Sequence, residues 1–115
     1  MTMRLCIPTL DDGGLDAALS DQFGRAPFFT LVDTETQTVK VVTNGDLAHE
    51  FGGCNPLRSL ETERIDLVVC QGLGRRAVTW LSEAGIPFFI TWKPDVLAVL
   101  SAHRAGRLGK IASLD

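Results

Sequence analysis

His49 and Cys54 stand five positions apart, with Gly52 and Gly53 between them. A thiolate and an imidazole are both good ligands for transition metals. Paired glycines let a backbone bend closely around a bulky ligand. Asn55-Pro56 follows at once. Asn suits a helix N-cap and Pro the first helical position, so Cys54 is expected just before a helix. The positive end of a helix dipole lowers a thiol pKa and favours the metal-binding form. The competing reading is a loop with a chance histidine and a partly buried cysteine.

Arg25 is the next candidate, in Phe23-Gly24-Arg25-Ala26-Pro27. A guanidinium there either pairs with an anionic ligand or makes an ion pair that holds its loop to the sheet. Gly72-Leu73-Gly74-Arg75-Arg76 joins a strand to a helix, where free amides and arginines suit an anion. It lacks the Gly-Lys-Ser/Thr of a phosphate loop and the third glycine of a dinucleotide fingerprint. Close strand–helix packing explains its glycines equally well. Cys6 and Cys70 fall within apolar runs and read as small buried hydrophobes. His103 sits near the end of the last helix, where the dipole favours it. Trp80 and Trp92 read as core or edge-of-core residues.

The elements that must position these residues follow from pattern and punctuation. A first strand runs from Arg4 and is closed by Pro8. A turn-rich loop and a helical turn at 15–19 come next. Residues 27–33 and 38–43 are β-branched and aromatic and form a hairpin. Residues 44–54 are a loop, and Asn55-Pro56 opens a helix. Residues 65–70 are almost wholly apolar, the mark of a buried strand. A helix from Arg75 to Ala84 is stopped by Gly85. A buried strand at 86–92 and a last helix after Pro94 complete the chain, with Val96, Leu97, Val99 and Leu100 inward and Gly106 as its stop. The chain order is β-β-β-α-β-α-β-α, an α/β mixed sheet of about five strands. The β-α-β unit should be parallel and right-handed.

At 115 residues the chain fits a single domain spanning 1–115. A net charge of −3 supplies no field for binding nucleic acid. The first residues are not expected to form a secretory leader, and no apolar run is long enough to span a membrane. A cytoplasmic location is expected. In that reducing compartment the 3 cysteines would be free thiols or metal ligands. No C-x-x-C pair is present, which speaks against a self-contained zinc site. The first strand carries Arg4, Cys6 and Pro8 and no acid, which speaks against a two-metal nuclease.

Phe23-Gly24-Arg25-Ala26-Pro27-Phe28-Phe29, with Val32-Asp33, resembles the most characteristic motif of a known family. Asp66-Leu67-Val68-Val69, Gly72-Leu73-Gly74 before a helix with Ala77, and Ala84-Gly85-Ile86 before a strand fit the same pattern. From about Arg4 to about Gly106 the chain is similar to the dinitrogenase iron–molybdenum cofactor biosynthesis family, of the NifX type. The resemblance implies a ribonuclease H-like fold. It also implies binding of an iron–sulfur cluster or an iron–molybdenum cofactor precursor, for carriage rather than catalysis.

On that reading His49 and Cys54 are the metal ligands, Gly52 and Gly53 shape the loop, and Arg25 neutralises the anionic cluster. A delivery protein must release its cargo, so few protein ligands suit it. The partners would be cluster donor and acceptor proteins, and a homodimer is left open. The alternative is a metal-free interaction or regulatory module on the same fold.

Overall fold

The computed structural model describes residues 3–23, 25–44 and 63–104, with the backbone alone at Arg76. The strands are β1 (Arg4–Thr9), β2 (Phe28–Asp33), β3 (Val39–Thr43), β4 (Leu67–Cys70) and β5 (Phe88–Ile90). The helices are α1 (Arg75–Ala84) and α2 (Val96–Arg104), and Gly14–Asp16 forms a 3-10 turn. The sheet order is β3-β2-β1-β4-β5. β2 runs antiparallel to both its neighbours, while β4 is parallel to β1 and β5. The mixed five-stranded sheet is as the sequence implies. The helix expected from Asn55 lies outside the described residues.

The central strand is buried on both faces because each face has its own apolar layer. Leu5, Ile7, Leu67 and Val69 meet Val96, Val99 and Leu100 of α2 on one side. Cys6, Val68, Cys70 and Phe88 meet Ala77 and Leu81 of α1 on the other, with Phe23, Phe29 and Leu31. The alternation along β1 and β4 is the ordinary period of two, hidden in the sequence because both faces are apolar. Gly85 ends α1 with a φ of 73°, and its amide donates to the Leu81 and Ser82 carbonyls. That is a left-handed cap that favours glycine.

Four expectations need correction. β1 does not stop at Pro8 but runs through it to Thr9. The β4 pairing ends at Cys6. Beyond it the Pro8 carbonyl accepts from the Ser20 amide instead. The proline therefore removes no bond from the β4 ladder. The helical turn placed at 15–19 is the shorter turn at 14–16, after which Leu19 bridges Thr9 and Ala18 bridges Asp95. β5 is three residues rather than the run 86–92. Leu97 is 48% exposed and Trp92 84% exposed, so neither is a core residue. Leu97 lies on the solvent side of α2, and Trp92 lies beyond the end of β5 at Ile90.

Candidate functional site

The carboxyl ends of β1 and β4 are where an open parallel sheet usually offers a crevice. Here the chain fills it with its own residues 17–23. The Leu10 amide donates to the Ala18 carbonyl, the Leu19 amide to Pro94 and the Phe23 amide to Gly72. Gly72 has to be glycine, because a Cβ there would come within 2.6 Å of the Asp21 carbonyl oxygen. Close approach of two backbones therefore accounts for this glycine, which favours the packing reading of Gly72-Leu73-Gly74. Gly74 caps α1 without a side-chain bond, and Arg75 is exposed.

Arg25 stands on the rim of that filled crevice. Phe23 and Ala26 on either side of it are fully buried. The Phe23 ring centroid lies 5.1 Å from that of Phe29, and the Ala26 amide turns back to the Phe23 carbonyl. The two apolar anchors leave Arg25 exposed. Among the described residues no ion pair ties its guanidinium to the sheet. The loop is held by other means, so Arg25 is not the ion-paired brace considered from the sequence.

The brace is Asn44, which sequence reasoning passed over. Its side chain is buried, and Nδ2 donates to the Ala26 carbonyl at 2.9 Å. Its own amide donates to the Pro27 carbonyl. Asn-Gly at 44–45 looks like an ordinary turn, and that hid the contact. Asn44 is also the last described residue before the segment that carries His49, Gly52, Gly53 and Cys54. Those four candidates lie outside the described residues. What the structure places is the root of their segment, which begins against the Arg25 turn. The described chain resumes at Glu63, which pairs with Arg4 at the opposite end of β1.

The other thiols are chemically quiet. Cys6 and Cys70 are both fully buried. Burial pushes the Cys6 thiol far up, with Cys70 nearby adding to the shift. Burial likewise pushes Cys70 up to about 12. Neither offers a thiolate near neutral pH. Asp66, the acid that starts the buried run, is also committed. Its Oδ2 accepts from the Arg4 amide at 2.8 Å and lies 3.5 Å from Arg64. Among the described residues no three His, Cys, Asp or Glu side chains form a metal-binding group. No described helix is long and apolar enough to cross a membrane.

Comparison with known proteins gives this geometry a context. An NMR structure of a Thermotoga protein provisionally called NifB, of the DUF35 family, superposes with a TM-score of 0.76 at 28% identity, covering 91% of this chain and 90% of that one. The apo form of the orange protein of Desulfovibrio gigas gives 0.82 at 23% identity, covering 97% and 92%. A Methanocaldococcus jannaschii protein provisionally called a dinitrogenase gives 0.73 at 20% identity, covering 99% of both chains. At these lower identities the likeness shows the fold. No curated protein sequence matches significantly. The pattern of the family described as dinitrogenase iron-molybdenum cofactor matches residues 3–106, nearly the whole chain, and this protein belongs to that family.

Proposed function

We propose that the protein captures an iron–sulfur or iron–molybdenum cluster, or its precursor, and passes it from a donor to an acceptor protein without chemical change. Membership of the iron-molybdenum cofactor family over residues 3–106 is the observation that carries this reading. The Arg25 turn supports it. An exposed, always-charged guanidinium on a turn pinned by Phe23, Ala26 and Asn44 is preorganised for an anion.

His49 and Cys54 supply the soft and borderline ligands, on a segment that begins at the same turn. Two protein ligands would hold a cluster less tightly than four, which suits release. The protein acts as a carrier rather than an enzyme, in the cytoplasm. With it we carry the ribonuclease H-like assignment. The sheet order, with β2 alone reversed, supports that assignment.

The test is anaerobic incubation with iron and sulfide, and separately with tetrathiomolybdate. Gel filtration, metal per chain and visible absorption follow. The wild type should retain metal and colour. Cys54→Ala and His49→Ala should lose most of it. Arg25→Ala should weaken capture of the anionic species by about tenfold, as expected for one charge-assisted contact. A wild type that leaves the column without metal would overturn the carrier reading in favour of a metal-free interaction module.

A further inference from the structure

The two edges of the sheet are built differently. β3, at one edge, carries Lys40, whose Nζ lies 2.7 Å from Glu63. A charged pair on an edge strand discourages another strand from docking there. β5, at the other edge, continues through a run with no ionisable side chain, Ile86-Pro87-Phe88-Phe89-Ile90-Thr91-Trp92. Ile90 is 38% exposed and Trp92 84% exposed.

The backbone of that edge is open as well. The Val68 amide donates to the Pro87 carbonyl, and the Thr91 amide donates to the Cys70 carbonyl. Odd-numbered residues of the run therefore face β4, and Phe88 and Ile90 turn their amides and carbonyls outward. Among the described residues nothing pairs with them. Pro87 lacks an amide, but its position faces inward, so it takes nothing from the outer edge.

We propose that β5 is a self-association edge, which pairs antiparallel with β5 of a second copy of this chain. The run is complementary to itself. With the two-fold axis at Phe89, Phe88 lies opposite Ile90 of the second copy, and Trp92 lies opposite Ile86. Apolar side chains meet apolar side chains except where Thr91 lies opposite Pro87, and no charge is desolvated or set against its like. Phe88 and Ile90 each give one amide and one carbonyl to the partner strand, and the two sheets become continuous. The contact is isologous and closes as a dimer. A second copy is the occupant that the uncharged, self-matching run favours. A foreign strand would have to match it by accident. The inference is independent of the carrier reading, because no residue of the Arg25 turn takes part.

Sedimentation velocity of the full chain from about 1 to about 500 µM tests it, a range that brackets a weak-to-moderate dimer. The wild type should pass from monomer to dimer within that range. Ile90→Lys should weaken association by at least about tenfold, since it places like charges across the seam. Ile90→Pro removes an outward amide that β4 does not use, and should act the same way. Thr43→Lys on the opposite edge should leave association unchanged. Far-ultraviolet circular dichroism checks that each variant folds, and Ile90→Lys serves if Ile90→Pro does not. A wild type monomeric throughout overturns the proposal. So does a dimer that both Ile90 variants leave intact.

Discussion

Replacing Asn44 with Ala removes the donor that meets the Ala26 carbonyl at 2.9 Å in a buried setting. An unmet buried carbonyl costs about 1–3 kcal/mol, so urea unfolding should show a loss in that range. The Arg25–Ala26 bond should also become a faster trypsin site than in the wild type, because the turn loses its brace. Equal cleavage rates would show that Phe23 and Ala26 hold the turn alone. The thiols give a second prediction. Cys6 and Cys70 keep their protons when folded, with Cys70 held up to about 12, against an ordinary thiol value of 9.0. The stability they contribute is intact below pH 9.0 and is lost as pH rises toward about 12, because only the unfolded thiols ionise in that window. At neutral pH neither cysteine should react with maleimide except through unfolding, and peptide mass spectrometry after timed labelling reads this directly.

At the scale of elements, the glycines before α1 make a sharp contrast. Gly72→Ala would put a Cβ 2.6 Å from the Asp21 carbonyl, so either β4's end or the crevice-filling segment must move. Overpacking of this kind costs about 1–3 kcal/mol. A Cβ on Gly74 meets nothing within 4 Å and its φ is an ordinary −73°. Gly74→Ala should therefore change stability far less, and thermal unfolding of the two variants side by side decides it. The start of β4 is secured differently. Glu63 receives Lys40 at 2.7 Å and Arg4 at 3.2 Å, which ties β3 and β1 to the chain just before β4. The hydrogen bond from Lys40 holds the Glu63 carboxyl below its ordinary 4.5. Its contribution is present above that pH and is lost as pH falls through the lowered value. Glu63→Gln should then narrow the gap between stability at pH 7 and at pH 3, as measured by urea titration at both.

For the whole molecule, the two proposals fall on different parts of the sheet, one at its ends and one at its edge. The Arg25 turn, and the root of the segment holding the expected metal ligands, stand at the carboxyl end of β1. The uncharged edge of β5 lies two strands away from β1. Cargo and self-association should therefore be separable. In a Trp80→Phe background Trp92 is the sole tryptophan, since the chain has 2. Its emission should be that of a solvated indole in dilute solution and shift to shorter wavelength as protein concentration rises. Loading with a metal cluster should leave that shift in place. An emission maximum that never moves with concentration would mean that Trp92 stays in water.

The five strands and the two described helices were legible because their signals are local. β-branched runs, Gly85 after Ala84 and the apolar stretch at 65–70 each act within a few residues. The family resemblance rested on equally local motifs, above all Phe23 to Phe29. What the sequence could not disclose were facts made by distant partners. Pro8 is tolerated because Ser20 replaces β4 at that point, and Gly72 is required by Asp21. Asn44 braces Arg25 from 18 positions away at Ala26, and no spacing rule links them. Trp92 and Leu97 read as core because hydrophobicity shows only that a residue is apolar. Whether another element arrives to cover it depends on sheet order and edge position, and only the folded chain fixes those.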